Sequence, residues 1–138
     1  MGSPLRVAGA GRLAEGLLGA ERLGWLDREA LRGELRRARA LLFPARWQEP
    51  FGLVGLEALA QGTPVIAMET GGVSDWAGEG ARLVGPGDVG AMVAEMRALE
   101  ADPALALALG ERGRQAAARF DRETILARWE ALLAEVAG

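Results

Sequence analysis

The chain has 138 residues, half of them hydrophobic, which suits one domain with a sizeable core. It contains no cysteine and no histidine, so disulfides, thiol chemistry and the commonest metal ligands are excluded and no metal site is expected. The net charge of −3 gives no support to nucleic-acid binding, and with neither a membrane-length apolar run nor a signal-peptide pattern we expect a soluble, cytoplasmic protein.

The amino-terminal residues predict a strand, a glycine loop and a second strand. Residues 5–8 form the first strand, which enters Gly9-Ala-Gly11. This loop is either a phosphate-binding loop or an ordinary turn. The second strand is expected over residues 23–26, after a brief helix indicated by three leucines, Leu13, Leu17 and Leu18.

A helix is expected over residues 28–39, with Asp27 as its cap and Leu31 and Leu35 on its inward face. This segment contains five arginines: Arg28, Arg32, Arg36, Arg37 and Arg39. A solvated face is the simpler interpretation of these charges. Docking to another domain or to an anionic surface is the alternative.

The middle of the chain predicts a strand, a loop and a helix. Residues 40–43 are apolar, and Pro44 ends that strand because proline has no backbone N–H. Residues 53–61 have a helical pattern that ends where Gly62 and Pro64 follow.

Phe51 and Gly52 therefore lie where a strand passes into the start of a helix. Free N–H groups and the helix dipole favour an anion such as phosphate at that point. Glu49 precedes the turn and Glu57 follows it, so both carboxylates can accept hydrogen bonds from hydroxyl groups around the anion. This arrangement suits a phosphate attached to sugars.

The rest of the chain continues the alternation. Residues 65–68 are a buried strand, and Gly71-Gly72 leads into a short helix on which Trp76 is expected to pack rather than bind ligand. A last strand is expected over residues 81–84. Three helices then follow, and each is capped by an aspartate: Asp88, Asp102 and Asp121.

Alternating strands and helices predict a single α/β domain, residues 1–138, with a Rossmann-like parallel sheet. We expect the helices of about residues 103–137 to pack on it. The final helix carries an apolar stripe, which we interpret as core packing: Ile125, Trp129, Leu132, Leu133 and Val136. Because the loops after parallel strands meet at one edge of the sheet, the glycine loops and Glu49 should converge on one site.

The sequence PARWQEPFGLVGLEALAQGTPVIA, residues 44–67, followed by Gly71-Gly72-Val73, resembles a known family. It is similar to the C-terminal, nucleotide-sugar-binding domain of retaining glycosyltransferases of the GT-B fold, in the glycogen-synthase and mannosyltransferase-like group. The family motif of two glutamates separated by seven residues is intact here as Glu49 and Glu57.

The resemblance implies a role for each matching residue. Glu49 would contact the transferred sugar as the catalytic residue, and Glu57 would hold the ribose hydroxyls. A third group would bind the rest of a UDP-, GDP- or ADP-sugar donor: Phe51, Gly52, Leu53, Val54, Gly9, Gly11, Gly71 and Gly72. No cofactor is implied. In the family the final helix often crosses to the partner domain, so an exposed apolar stripe is the alternative to core packing.

The chain departs from the family at its start. The usual domain begins one β-α unit earlier, with a strand, a glycine-arginine loop and a lysine, and this chain has no lysine. Arg12 and Arg46 are the nearest substitutes for that basic pair. The missing strand would be central, so either the sheet closes without it or another chain supplies it. The scarcity of thermolabile residues fits a thermophile or skewed codon usage equally well.

Two functions of different classes follow. The first is the donor-binding half of a glycosyltransferase, which would work with an amino-terminal acceptor-binding domain. The second is a non-catalytic remnant that binds a nucleotide or a protein, with a second copy of the chain as one such protein. The nucleotide base, the sugar and the acceptor are not specified by these residues.

Overall fold

The fold is described from a computed structural model over residues 4–11 and 16–137. The strands within these ranges are β1 (Leu5–Ala8), β2 (Ala20–Gly24), β3 (Leu41–Phe43), β4 (Val65–Met68) and β5 (Ala81–Val84). The helices are α1 (Arg28–Arg37), α2 (Leu53–Ala60), α3 (Val73–Ala77), α4 (Val89–Ala101), α5 (Pro103–Ala118) and α6 (Arg122–Ala137), and a 3₁₀ turn, Gly78–Gly80, precedes β5. The α/β prediction is confirmed.

One prediction near the amino terminus needs correction, and another falls partly outside the described residues. The second strand spans Ala20–Gly24 rather than residues 23–26, because Glu21 and Arg22 pair with β1 and Glu21 forms an ion pair with Arg6. This ion pair also raises the pKa of Arg6, chiefly through its hydrogen bond to Glu21. Leu17 and Leu18 lie outside any helix, and Leu13 falls outside the described residues.

The parallel strands form two sheets, β1-β2 and β3-β4-β5. An ion pair joins Arg6 on β1 to Glu34 on α1, the helix that crosses from β2 to β3. No backbone hydrogen bond joins β1 to β3 in the part of the chain that the structure describes. Within residues 4–11 and 16–137 the strands thus form two separate sheets rather than one.

The core is centred on β4, all of whose residues are buried. Trp76 is fully buried, contacts the Phe43 ring edge-on at 6.1 Å between centroids and donates its indole N–H to the carbonyl oxygen of Phe51. The packing role predicted for Trp76 is confirmed. Because Phe51 belongs to the proposed anion site, the core directly supports that site.

The last two helices behave differently. α5 packs closely on the α2 side of the domain: an added Cβ at Gly110 would lie 2.3 Å from the carbonyl oxygen of Gly62. α6 has no buried residue, and 57% of Trp129 and 78% of Val136 are exposed. The structure thus agrees with an exposed apolar stripe rather than with core packing.

Asp121 nevertheless caps the start of α6, as predicted. The backbone N–H of Thr124 donates to the Asp121 carboxylate at 2.7 Å. This hydrogen bond stabilises the charged form and lowers the pKa of Asp121 below its ordinary value.

We expect Gly55→Ala to destabilise the protein. Gly55 is buried on α2, and an added Cβ would lie 2.0 Å from Cη2 of the Trp76 ring. Overpacking of this kind costs about 1–3 kcal/mol or more when the neighbour cannot move. Urea unfolding measures the change. Gly33→Ala on α1 is the control, because its nearest neighbours are at 3.8 Å and alanine should stabilise that helix by about 0.5–1 kcal/mol. An unchanged midpoint for Gly55→Ala would contradict this packing.

Candidate nucleotide-sugar site

The site is built on the passage from β3 to α2. Gly52 precedes α2 with φ 86°, a left-handed conformation that favours glycine, and no side chain caps the helix. The N–H of Gly55 donates to the carbonyl oxygen of Gly52 at 2.9 Å. Helix geometry leaves the N–H groups of Leu53 and Val54 without an intrahelical acceptor. The uncapped start of α2 can therefore bind an anion.

The loop after β4 packs backbone to backbone against Glu49. The N–H of Gly72 donates to the carbonyl oxygen of Glu49 at 2.8 Å. Gly71 has φ 55°, and an added Cβ there would lie 2.2 Å from the same oxygen. A Cβ at Gly52 would lie 3.5 Å from Cγ of Glu49. The structure thus brings four predicted site residues together at the carboxyl ends of β3 and β4: Glu49, Gly52, Gly71 and Gly72.

Glu57 lies on α2, in a groove whose lining does not include Glu49. It is half-buried and lines this groove of about 360 Å³ together with Arg114, Phe120 and Asp121. The Phe51 ring contacts the Phe120 ring edge-on at 5.6 Å between centroids, so the groove adjoins the loop before α2. A shared binding cleft for Glu49 and Glu57 stays a prediction.

Gly9 and Gly11 are placed at the carboxyl end of β1, in the two-stranded sheet. Both have positive φ, 112° and 146°, and an added Cβ would meet no atom within 4 Å. Within the described residues, no hydrogen bond joins this loop to the Glu49 loop. Of the two candidate basic residues, Arg46 is exposed in the loop after β3, and Arg12 lies outside the described residues.

Trp47 is a site residue that the sequence did not single out. Its indole N–H donates to Oε2 of Glu49 at 2.9 Å, and 64% of the residue is exposed. The hydrogen bond depends on how the two side chains are oriented within the loop, which the sequence pattern does not indicate.

The described residues contain no group of three or more side chains suited to holding a metal ion. The same residues include no helix with the length and apolar character needed to cross a membrane.

Comparison with curated proteins identifies relatives of this chain. It is 34% identical over 137 residues to a glycogen synthase of Mycobacterium tuberculosis, covering 90% of this chain and 33% of the relative. It is 42% identical over 86 residues to a D-inositol 3-phosphate glycosyltransferase of Streptomyces bingchenggensis, covering 61% of this chain and 19% of the relative. The chain thus spans a third or less of the length of these two relatives.

Solved structures share the fold. Sucrose-phosphate synthase from Thermosynechococcus elongatus superposes with a TM-score of 0.77 at 36% identity, over 86% of this chain and 30% of that one. HepE of Anabaena in complex with UDP superposes with a TM-score of 0.83 over 96% of this chain and 41% of that one. At 20% identity, the second match is a likeness of fold alone.

The family match covers most of the chain. Residues 17–116 match the family described as "Glycosyl transferases group 1". This range includes the Glu49–Glu57 segment, the Gly71-Gly72 loop and the whole of β3, β4 and β5. On this match and the identity to the glycogen synthase, the chain belongs to the glycosyl transferases group 1.

Proposed function

We propose that this chain forms the donor-binding half of a retaining glycosyltransferase, which moves a hexosyl group from a nucleotide-diphospho-sugar to an acceptor. The observation that carries the proposal is the packing of the Gly71-Gly72 loop on Glu49 beside the uncapped start of α2. HepE, which shares the fold, has been solved with UDP and with UDP-glucose, and by analogy of fold we assign a nucleotide-sugar donor to this chain.

The diphosphate is assigned to the start of α2. The N–H groups of Leu53 and Val54 are directed along the helix axis, where the dipole favours negative charge. Gly52 presents no side chain, so the donor can approach the backbone at this point, beside Phe51. Gly9 and Gly11 would flank the diphosphate from the carboxyl end of β1.

The two glutamates are assigned to hydroxyl groups. Glu57 would accept hydrogen bonds from the ribose, and Glu49 from the transferred sugar, beside Gly71 and Gly72. Catalysis of this kind rests on positioning the donor and on stabilising charge on the diphosphate leaving group. Arg46 is the described arginine in the Glu49 loop that would assist in this stabilisation.

The acceptor-binding wall of the cleft is assigned to residues outside this sequence. The chain covers a third of the length of the glycogen synthase relative, which supports a partner domain. An amino-terminal acceptor-binding domain fits this requirement. A second copy of the chain would provide another donor wall rather than an acceptor site.

We expect the wild-type chain to bind nucleotide-sugars weakly, because it lacks the family's arginine and lysine pair that contacts the diphosphate. Loss of one charge-assisted hydrogen bond of this kind costs about 1.5–3 kcal/mol, or roughly ten- to a hundredfold in affinity. Glu57→Ala should weaken binding by about tenfold more, for free nucleotide as well as nucleotide-sugar, because ribose is common to both. Calorimetric titration with a panel of UDP-, GDP- and ADP-sugars and the free diphosphates measures this.

Glu130→Ala on the exposed side of α6 is the control, since Glu130 is outside the proposed site. Binding by Glu57→Ala that equals binding by the wild type would remove Glu57 from the ribose role. Absence of binding to every member of the panel would count against a donor-binding half.

A further inference from the structure

Trp47 makes a specific contact that neither the sequence motif nor the proposed function uses. A single exposed aromatic residue is ordinary on a protein surface. Here, however, the indole N–H donates to Oε2 of Glu49 at 2.9 Å while 64% of the residue remains exposed. Trp47 therefore has a defined orientation that packing in the core does not explain.

The rest of Glu49 is already held in place. Its carbonyl oxygen accepts the N–H of Gly72 at 2.8 Å, which fixes the backbone. Its Cγ lies beside Gly52, where an added Cβ would be 3.5 Å away. The remaining freedom is that of the carboxylate. Among the described residues, Trp47 is the side chain that hydrogen-bonds this carboxylate.

We propose that Trp47 is a positioning residue for Glu49, an inference that rests on the sugar-binding role proposed for Glu49. The indole N–H donates to Oε2 and orients the carboxylate, so that Oε1 can accept a hydrogen bond from a hydroxyl of the transferred sugar. Ordering a glutamate side chain costs conformational entropy. Because the Trp47 hydrogen bond orders the carboxylate before the sugar arrives, less of this cost falls on sugar binding.

The inference predicts an effect confined to the sugar. Trp47→Phe keeps an aromatic ring and removes the N–H donor. We expect it to weaken binding of the preferred nucleotide-sugar of the panel by about five- to tenfold, and to leave binding of the matching nucleoside diphosphate within about twofold. Trp129→Phe is the matched control, because Trp129 is 57% exposed on α6 and away from Glu49. It should leave both affinities unchanged.

NMR supplies a second readout that does not depend on affinity. The indole N–H signal of Trp47 is identified as the one that is lost in Trp47→Phe. We expect this signal to shift in Glu49→Gln and on addition of the nucleotide-sugar, and to shift much less with the nucleoside diphosphate.

Two results would overturn the inference: equal affinities for Trp47→Phe and wild type, or an equal loss for both ligands, which would indicate a structural or nucleotide-binding role. A wild-type chain that binds no nucleotide would instead refute the proposed function. In that case an indole signal unchanged by Glu49→Gln would also refute the hydrogen bond itself.

Discussion

Sugar transfer is expected only when this chain is combined with an amino-terminal half that carries the acceptor site and a strand equivalent to the first strand of the family's domain. Positioning two substrates against each other lowers the activation barrier of their reaction by up to about 7–11 kcal/mol. A chain that binds only the donor cannot position the acceptor, so most of this reduction is lost. The isolated chain also lacks a lysine to stabilise the leaving diphosphate. Transfer of radiolabelled sugar, measured for each half alone and for the mixture, tests this expectation.

Glu49→Ala separates catalysis from binding in the same assay. It should abolish the restored transfer, because Glu49 is assigned to the transferred sugar. It should spare binding of the free nucleotide, which is assigned to Glu57 and to the start of α2. Robust transfer by the purified wild-type chain alone, with contaminants excluded, would be incompatible with a half-enzyme.

Gly71→Ala is expected to eliminate detectable nucleotide-sugar binding. An added Cβ would lie 2.2 Å from the carbonyl oxygen of Glu49 and 2.7 Å from its nitrogen. Backbone atoms cannot rotate away as a side chain does, so the Glu49 loop must move. Gly71 also has φ 55°, where alanine costs roughly 1–2 kcal/mol.

Gly87→Ala is the matched control for backbone strain. Gly87 has φ 79°, but an added Cβ there would meet no atom within 4 Å. It should show a similar strain cost in thermal unfolding and unchanged binding in calorimetry. If Gly71→Ala binds the donor as the wild type does, the contact between the two loops is unimportant for the site.

The elements with strong local signals were predictable from the sequence. The bounds of β4 and β5 match the prediction, since β4 is a continuous apolar run and a proline or glycine precedes or follows each strand. The capping role of Asp88 and Asp102 is confirmed by hydrogen bonds from Ala91 and Leu105. Such features depend on a few adjacent residues.

Features that depend on the rest of the fold were harder to predict. β2 contains the charged residues Glu21 and Arg22, and its position is determined by pairing with β1 rather than by hydrophobicity. The stripe on α6 has the same spacing whether it packs in a core or lies exposed. Periodicity gives the face of a helix but not what covers it.

The site was predictable to a similar degree. Because the loops after parallel strands meet at one edge, the contact between Glu49 and the Gly71-Gly72 loop followed from the strand order. The groove at Glu57 involves Phe120 and Asp121, which are far away in sequence and carry no motif. The hydrogen bond from Trp47 to Glu49 depends on the side-chain orientation within one loop.

The division of the sheet gives the two halves of this chain unequal resistance to local unfolding. β1 and β2 contain no buried residue, whereas every residue of β4 is buried. An isolated pair of strands is marginally stable in water, so residues 5–8 and 20–24 open at a low free-energy cost. A strand docked beside β1 would bind and fold this region in one step. The ordering of β1 and β2 would then oppose part of the interface energy, which favours an assembly that forms reversibly.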